Sequence, residues 1–370
     1  MVANATAINE VHTNYVAIHP YYGYVCLPNS TIDFQLPVPK EFGHGTSIQT
    51  DADGFRNKNV PSSKPPDEYW VGLFGGSVAF SILSSDNEWT IAGRLEKMLN
   101  EALPHRKIRV FNFALPGGQQ PQQLHIFLHK SAKLDGIITF DGYNEYMVPA
   151  RFPLLIPEHF PFFHYYSVLY ARPSEERQVA LCWFLKNIDE FQDKLKLKSL
   201  MLQKAVHPLL FFVKGMIRRS LTEKTLLESE SFSSLFRIEN DWTEDRLMER
   251  CAHRWRDCMS TMYQLASIKK IKSMFILQPV PEFYKKLTFL EKQILENNSI
   301  SSERRIAWYK YLFNNIESLT VELKSFHDFT DVFSQEKRSI YADFSHFEDI
   351  GCEIVAEKIC AIILTRWNLT

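Results

Sequence analysis

Three short apolar runs, YWVGLF (69–74), KIRVFNF (107–113) and DGIITF (135–140), each stop at a glycine-bearing turn. Between them the apolar spacing turns helical. Trp89, Ala92, Leu95, Leu99 and Ala102 predict a helix over 86–102, with Ser85 and Glu88 spaced as a capping box, and Leu124, Phe127 and Leu128 predict another over 122–132. Strand, turn and helix in rotation imply an α/β fold of parallel strands with helices on both faces.

The rotation does not occupy the whole chain. Residues 1–68 are rich in Pro, Asn, Asp, Ser and Gly and read as an irregular N-terminal arm, with PSSKPPDE (61–68) as its last linker. Residues 150–270 carry aromatic and helical segments without a clear strand and read as a large helical insertion. The helix closing it is marked by Leu247, Cys251, Trp255, Cys258, Met262 and Leu265 at steps of three and four. SMFILQP (273–279) resumes the strand pattern, a helix follows over 306–323, DFTDVF (328–333) is the last strand candidate, and a final helix is expected over 347–364. The α/β domain is thus expected from 69–149 and 271–370.

Forty-two basic and 43 acidic side chains give a formal charge of -1, so no global field gathers nucleic acid, and no nucleic-acid partner is expected. The six cysteines form no C-x-x-C pair and no His/Cys group at zinc spacing, so neither a metal nor another cofactor is expected. The N-terminus lacks a basic n-region and a long apolar h-region; no signal peptide is expected, and a cytoplasmic location is favoured for the chain as it stands. No stretch has the roughly 18 to 20 consecutive apolar residues of a spanning helix.

In sheets of this kind ligands gather outside the carboxyl ends of the strands. Three successive strand ends carry Ser77, Gly117 and Asn144, and a late loop, YADFSHF, carries Asp343 and His346. These types suit acyl transfer. A serine hydroxyl becomes a useful nucleophile when a histidine takes its proton, and a carboxylate fixes the histidine tautomer. Ser77, His346 and Asp343 fill those roles, and the N–H groups of Ser77 and Gly117 with the Asn144 amide are candidate donors to a developing oxyanion.

GGS at 75–77, NFALPG at 112–117, DGYNE at 141–145 and DFSH at 343–346 resemble, in that order, blocks I, II, III and V of the SGNH (GDSL-type) hydrolases. The resemblance covers about 70–146 and 273–364 and implies a flavodoxin-like three-layer α/β/α fold. It also implies a catalytic set of Ser77, Asp343 and His346 with Ser77, Gly117 and Asn144 as the oxyanion hole. DADGFR (51–56) is similar to a GFR signature upstream of block I in a longer bacterial branch. Two positions depart from the pattern: Gly76 stands where the GDSL form has Asp, and Glu145 where Asp is commoner.

Each motif also has a plain packing reading. Ser77 fits a tight strand-to-helix turn, Asp343 a helix cap, Gly117 and Asn144 turn formers, and QQPQQ (119–123) a solvated helix start. The stretch 205–221 has a functional reading as a lid over an acyl site or a peripheral membrane contact. Its packing reading, a core helix with a basic solvated end, is the commoner origin of such a stripe. The leading functional expectation is a serine esterase acting on an acyl ester of a sugar or small metabolite. An O-acyltransferase using the same acyl-enzyme and a non-catalytic binding protein on the same fold are the alternatives.

Overall fold

The computed structural model describes residues 15–34, 42, 45–151, 188, 206, 208, 210–215, 243–296, 302–322 and 324–369. The chain divides into two compact units, Met1–Pro153 with Trp242–Thr370, and Leu154–Asp241. In the second unit the described residues are all helical. Apart from 206, 208 and 210–215, the stretch 205–221 lies outside the described residues. No helix among the described residues is long and apolar enough to cross a membrane.

The segment expected to be an irregular arm contains two antiparallel pairs. Strand β1 (Val16–His19) pairs with β2 (Gly23–Cys26), and β3 (Thr31–Phe34) with β4 (Thr46–Gln49). Each strand is four residues long, too short for alternation to stand out from the turn-rich composition around it. Tyr22, Tyr24, Phe55 and Arg56 are buried, so the segment is part of the packed domain.

The main sheet follows, with its helices, in chain order: β5 (Glu68–Gly75), α1 (Ser77–Phe80), α2 (Ile91–Ala102), β6 (Lys107–Asn112), α3 (Gln122–Lys130), β7 (Gly136–Asp141) and α4 (Asn144–Met147). After the second unit come α5 (Glu244–Ile268), β8 (Lys272–Leu277), α6 (Phe289–Glu296), α7 (Ser302–Glu322), β9 (Phe326–Asp328) and α8 (Asp349–Arg366). The five strands are parallel in the order β6-β5-β7-β8-β9, so the first strand of the sheet lies between the second and the third. That is the flavodoxin-like order, with its switch point beside β5. All eight residues of β5 are buried, as a strand covered on both faces requires.

Side-chain alternation builds the two faces. Val71, Leu73, Ile138, Phe140, Met274 and Ile276 share one core with Leu95 and Leu99 of α2 and Val355, Ile359 and Ile363 of α8. Full burial of each such chain contributes about 1.5–3 kcal/mol. On the opposite face the Phe74 ring meets the edge of Phe127 from α3, and Trp255 and Tyr263 of α5 pack against Phe326 and Phe275.

Several boundaries differ from the periodicity. The helix expected from residue 86 starts at Ile91, with Thr90 as its cap accepting the Gly93 N–H, because the Asp86 side chain instead accepts the N–H groups of Glu88 and Trp89 in a local turn. The last strand is Phe326–Asp328, not 328–333; Asp328 closes it by bonding the N–H and hydroxyl of Thr330. Helix α5, expected to close the insertion, packs on the sheet, and the second unit ends at Asp241.

Candidate active site

Ser77 is the first residue of α1, directly beyond the carboxyl end of β5. Asp343 and His346 lie in the loop before α8, where Asp343 Oδ1 accepts the backbone N–H groups of Ser345 and His346 at 2.8 Å each. This small turn folds the loop so that its other oxygen, Oδ2, meets His346 Nδ1 at 2.6 Å. His346 Nε2 in turn lies 2.6 Å from Ser77 Oγ, across 269 residues of sequence. An ionised carboxylate only accepts, so Nδ1 carries the hydrogen toward Asp343, and in the neutral ring Nε2 is left to accept the Ser77 hydroxyl.

Burial pushes the Asp343 carboxyl up, but the neighbouring His346 and the two backbone N–H groups outweigh it and hold the group below its ordinary value. Ser77, Gly117, Asn144, Asp343 and His346 are each half-buried among buried neighbours, so the five open on solvent.

Gly117 takes a left-handed conformation, φ 73°, in the loop after β6, and Asn144 opens α4 after β7. The Asn144 amide donates one hydrogen to Gly118 O at 2.9 Å, tying the two loops together. Its second hydrogen remains as a donor from the same nitrogen. Gly76 has a direct steric reason: a Cβ there would sit 2.2 Å from Asn144 Nδ2 and 3.1 Å from Gly118 O. The smallest residue lets the Asn144 amide stand over the start of α1. On the expectation that Asn144 is an oxyanion donor of an esterase, Gly76→Ala should displace that amide and lower kcat on an activated ester roughly 100-fold, the scale of losing one such donor, with KM nearly unchanged. Steady-state kinetics of the folded variant check it.

Behind these loops lies a buried polar group that motif reasoning does not assemble. Glu145, noted in the sequence only as a departure, accepts the N–H of Gly142 at 2.9 Å and of Gln120 at 3.3 Å, joining the loops after β7 and β6 a second time. Arg254 of α5 donates to the Glu145 carbonyl at 2.8 Å, and Trp308 of α7 donates to the Gly142 carbonyl at 2.7 Å. Asp141 accepts from Trp255 Nε1 at 2.8 Å. Burial pushes both carboxyls up, Asp141 well above the carboxylate range with the Glu145 charge adding to it. At Glu145 the two backbone donors and the Arg254 charge offset part of that rise.

The glutamines of 119–123, expected at a solvated helix start, are all buried. Gln122 donates to Tyr22 O at 2.6 Å, and Gln120 turns toward Met262. The outward side of α3 is marked instead by Leu128, about half exposed. One sequence signal points here: Arg254 stands on the apolar stripe of α5 at steps of four, three and four from Leu247 through Cys251 to Cys258. A cation on such a stripe requires buried acceptors.

No protein-family model matches the chain, and no curated protein sequence matches it. Solved structures do. One is LAE5, an alpha/beta hydrolase enzyme from the metagenome of Lake Arreo, Spain, at 10% identity over 79% of this chain and 94% of that one, TM-score 0.41. Another is the acetyl xylan esterase AlAXEase, at 11% identity over 80% of this chain and 99% of that one, TM-score 0.38. A third is a lipase/acylhydrolase from Enterococcus faecalis, at 14% identity over 80% of this chain and 96% of that one, TM-score 0.35.

Proposed function

We propose that the chain is a serine hydrolase of the SGNH type that cleaves an acyl ester of a sugar or small metabolite. The observation that carries this reading is the continuous line from Ser77 Oγ through the His346 ring to Asp343, with 2.6 Å at each step. Ser77 Oγ attacks the ester carbonyl carbon while His346 Nε2 takes its proton. The tetrahedral oxyanion is met by the N–H groups of Ser77 and Gly117 and the Asn144 amide. The intermediate collapses by breaking the bond to the alcohol, which leaves with the proton from Nε2. Water then attacks the acyl-serine, giving its proton to Nε2, and the carboxylic acid departs as Ser77 is restored. Asp343 orients the ring and supports its charge in both halves of the cycle.

The test is turnover of a panel of p-nitrophenyl esters of increasing acyl length and of acetylated sugars, with and without free sugar acceptors, read by product analysis. Release of free acid, highest for short acyl groups and undiminished by acceptors, is expected. Acylated acceptor in place of free acid would turn the reading to transfer, and a wild-type protein inert to the whole panel and to serine-directed probes would remove the enzyme reading.

A further inference from the structure

One sequence motif plays no part in the catalytic reading, the DADGFR stretch, 51–56, upstream of Ser77. Its Arg56 is 2% exposed. The Nε–H donates to Asn87 Oδ1 at 3.1 Å; one terminal nitrogen donates to the carbonyls of Ser81 and, at 3.4 Å, Phe80; the other donates to those of Ser84 at 3.1 Å and Ser47 at 3.4 Å. Four of these five acceptors belong to 80–87, the segment by which the chain leaves α1. Among the described residues no carboxylate forms an ion pair with Arg56. A buried cation held almost wholly by backbone oxygens is costly unless its geometry is needed.

The need is local. Helix α1 has four residues and cannot hold its own shape, and its last carbonyls have no partners within the helix. Ser81, the residue after it, takes a left-handed conformation at φ 58° without being glycine. A planar guanidinium supplies several donors in fixed directions where the carbonyls converge, and a positive charge suits a helix C-terminus. Asn57, the residue after the motif, extends the clamp: it donates to Asn112 O at 3.2 Å and accepts the Asn112 N–H at 2.8 Å. Asn112 in turn donates to the carbonyls of Ala79 and Phe80 at 3.2 and 3.4 Å.

The same platform reaches the histidine. Ser85 N–H donates to Asp349 Oδ1 at 2.9 Å, and Ser84 Oγ lies 3.2 Å from Cys352 Sγ. Asp349 begins α8, three residues after His346. Both the serine and the imidazole are therefore referenced to residues 80–85. We infer that Arg56 is a positioning residue for the proposed reaction: by gripping the carbonyls that follow α1, it sets the distance between Ser77 Oγ and His346 Nε2. This inference rests on the serine hydrolase reading.

The experiment compares wild type, Arg56→Lys and Leu99→Ala for the rate of labelling by a fluorophosphonate and for kcat and KM on p-nitrophenyl acetate, all normalised to folded fraction. Leu99 is a fully buried core residue of α2 with no part in the site, so its variant matches a general loss of stability. Lysine keeps the charge but replaces the fork by a single point donor. Arg56→Lys is expected to lower kcat and labelling at least 10-fold with KM within twofold, while folded Leu99→Ala stays within twofold of wild type. Equal rates for the two variants overturn the inference. If Arg56→Lys does not fold, Asn87→Ala removes the Nε acceptor and leaves the guanidinium in place; a labelling rate at least threefold lower supports the inference, and an unchanged rate overturns it. Wild-type protein that no fluorophosphonate labels defeats the hydrolase reading itself, a result distinct from labelled wild type with unimpaired Arg56→Lys.

Discussion

Ser77→Ala is expected to abolish fluorophosphonate labelling and to lower ester turnover by about 10⁴-fold or more, because the reading leaves no second group to form the acyl bond. The fold is expected to survive. Among the described residues the Ser77 side chain makes one hydrogen bond, to His346, and a single such bond contributes about 1 kcal/mol. Alanine also has a high helix propensity and no side-chain bulk to disturb the turn. Intact-mass analysis after probe treatment, beside a thermal melt of the same sample, separates the two effects. Labelling of the alanine variant at the wild-type rate would mean that another nucleophile carries the chemistry.

The second large effect is expected at Asp343. Asparagine is nearly isosteric and keeps an oxygen for the N–H groups of Ser345 and His346, but it then turns an amide toward His346 Nδ1. An amide donates there, so the ring must place its hydrogen on Nε2, and the nitrogen facing Ser77 no longer accepts a proton. A fall of about 10⁴-fold in kcat is the expected scale for Asp343→Asn. The exchange also has a signed pH consequence. The folded carboxyl titrates below its ordinary value of 3.8, so its charged form contributes stability at neutral pH that is lost as the pH falls through the folded value. The stability gap between wild type and Asp343→Asn should therefore be largest near pH 7 and narrow below about pH 4. Urea unfolding of both proteins between about pH 7 and pH 3 measures it; a gap that widened on acidification would contradict the assigned direction.

The parts of the site that are legible in the sequence share a physical origin. Ser77, Gly117 and Asn144 each follow an apolar run at a turn, and that position is written in local composition. Asp343 and His346 can be paired because three residues of separation close a turn whatever the rest of the chain does. Glu145 shows the opposite case: its residue type is visible, but its bond to Gln120 depends on the loops after β7 and β6 meeting, with α5 and α7 bracing the loop after β7. The glutamines of 119–123 escape a sequence reading for the same reason. Polar residues at a helix start usually meet water, whereas here Gln122 bonds the segment at Tyr22 and Gln120 turns toward Met262 of α5. The start of α2 is hidden as well, because the Asp86 side chain offers the backbone a local turn that competes with the helix, and apolar spacing does not register that contest.

By itself, the amino-acid order determined the α/β rotation, the placing of candidate residues at strand ends, and the absence of any strong net charge, since each depends on spacing along the chain or on composition alone. Only the tertiary structure decided that Ser77 Oγ and His346 Nε2 lie 2.6 Å apart, that Gly76 makes room for the Asn144 amide, and that Arg56 grips the carbonyls beyond α1. A buried polar atom takes its partner from whichever segment packs against it, and that choice is made by the sheet order and its crossovers rather than by neighbours in sequence.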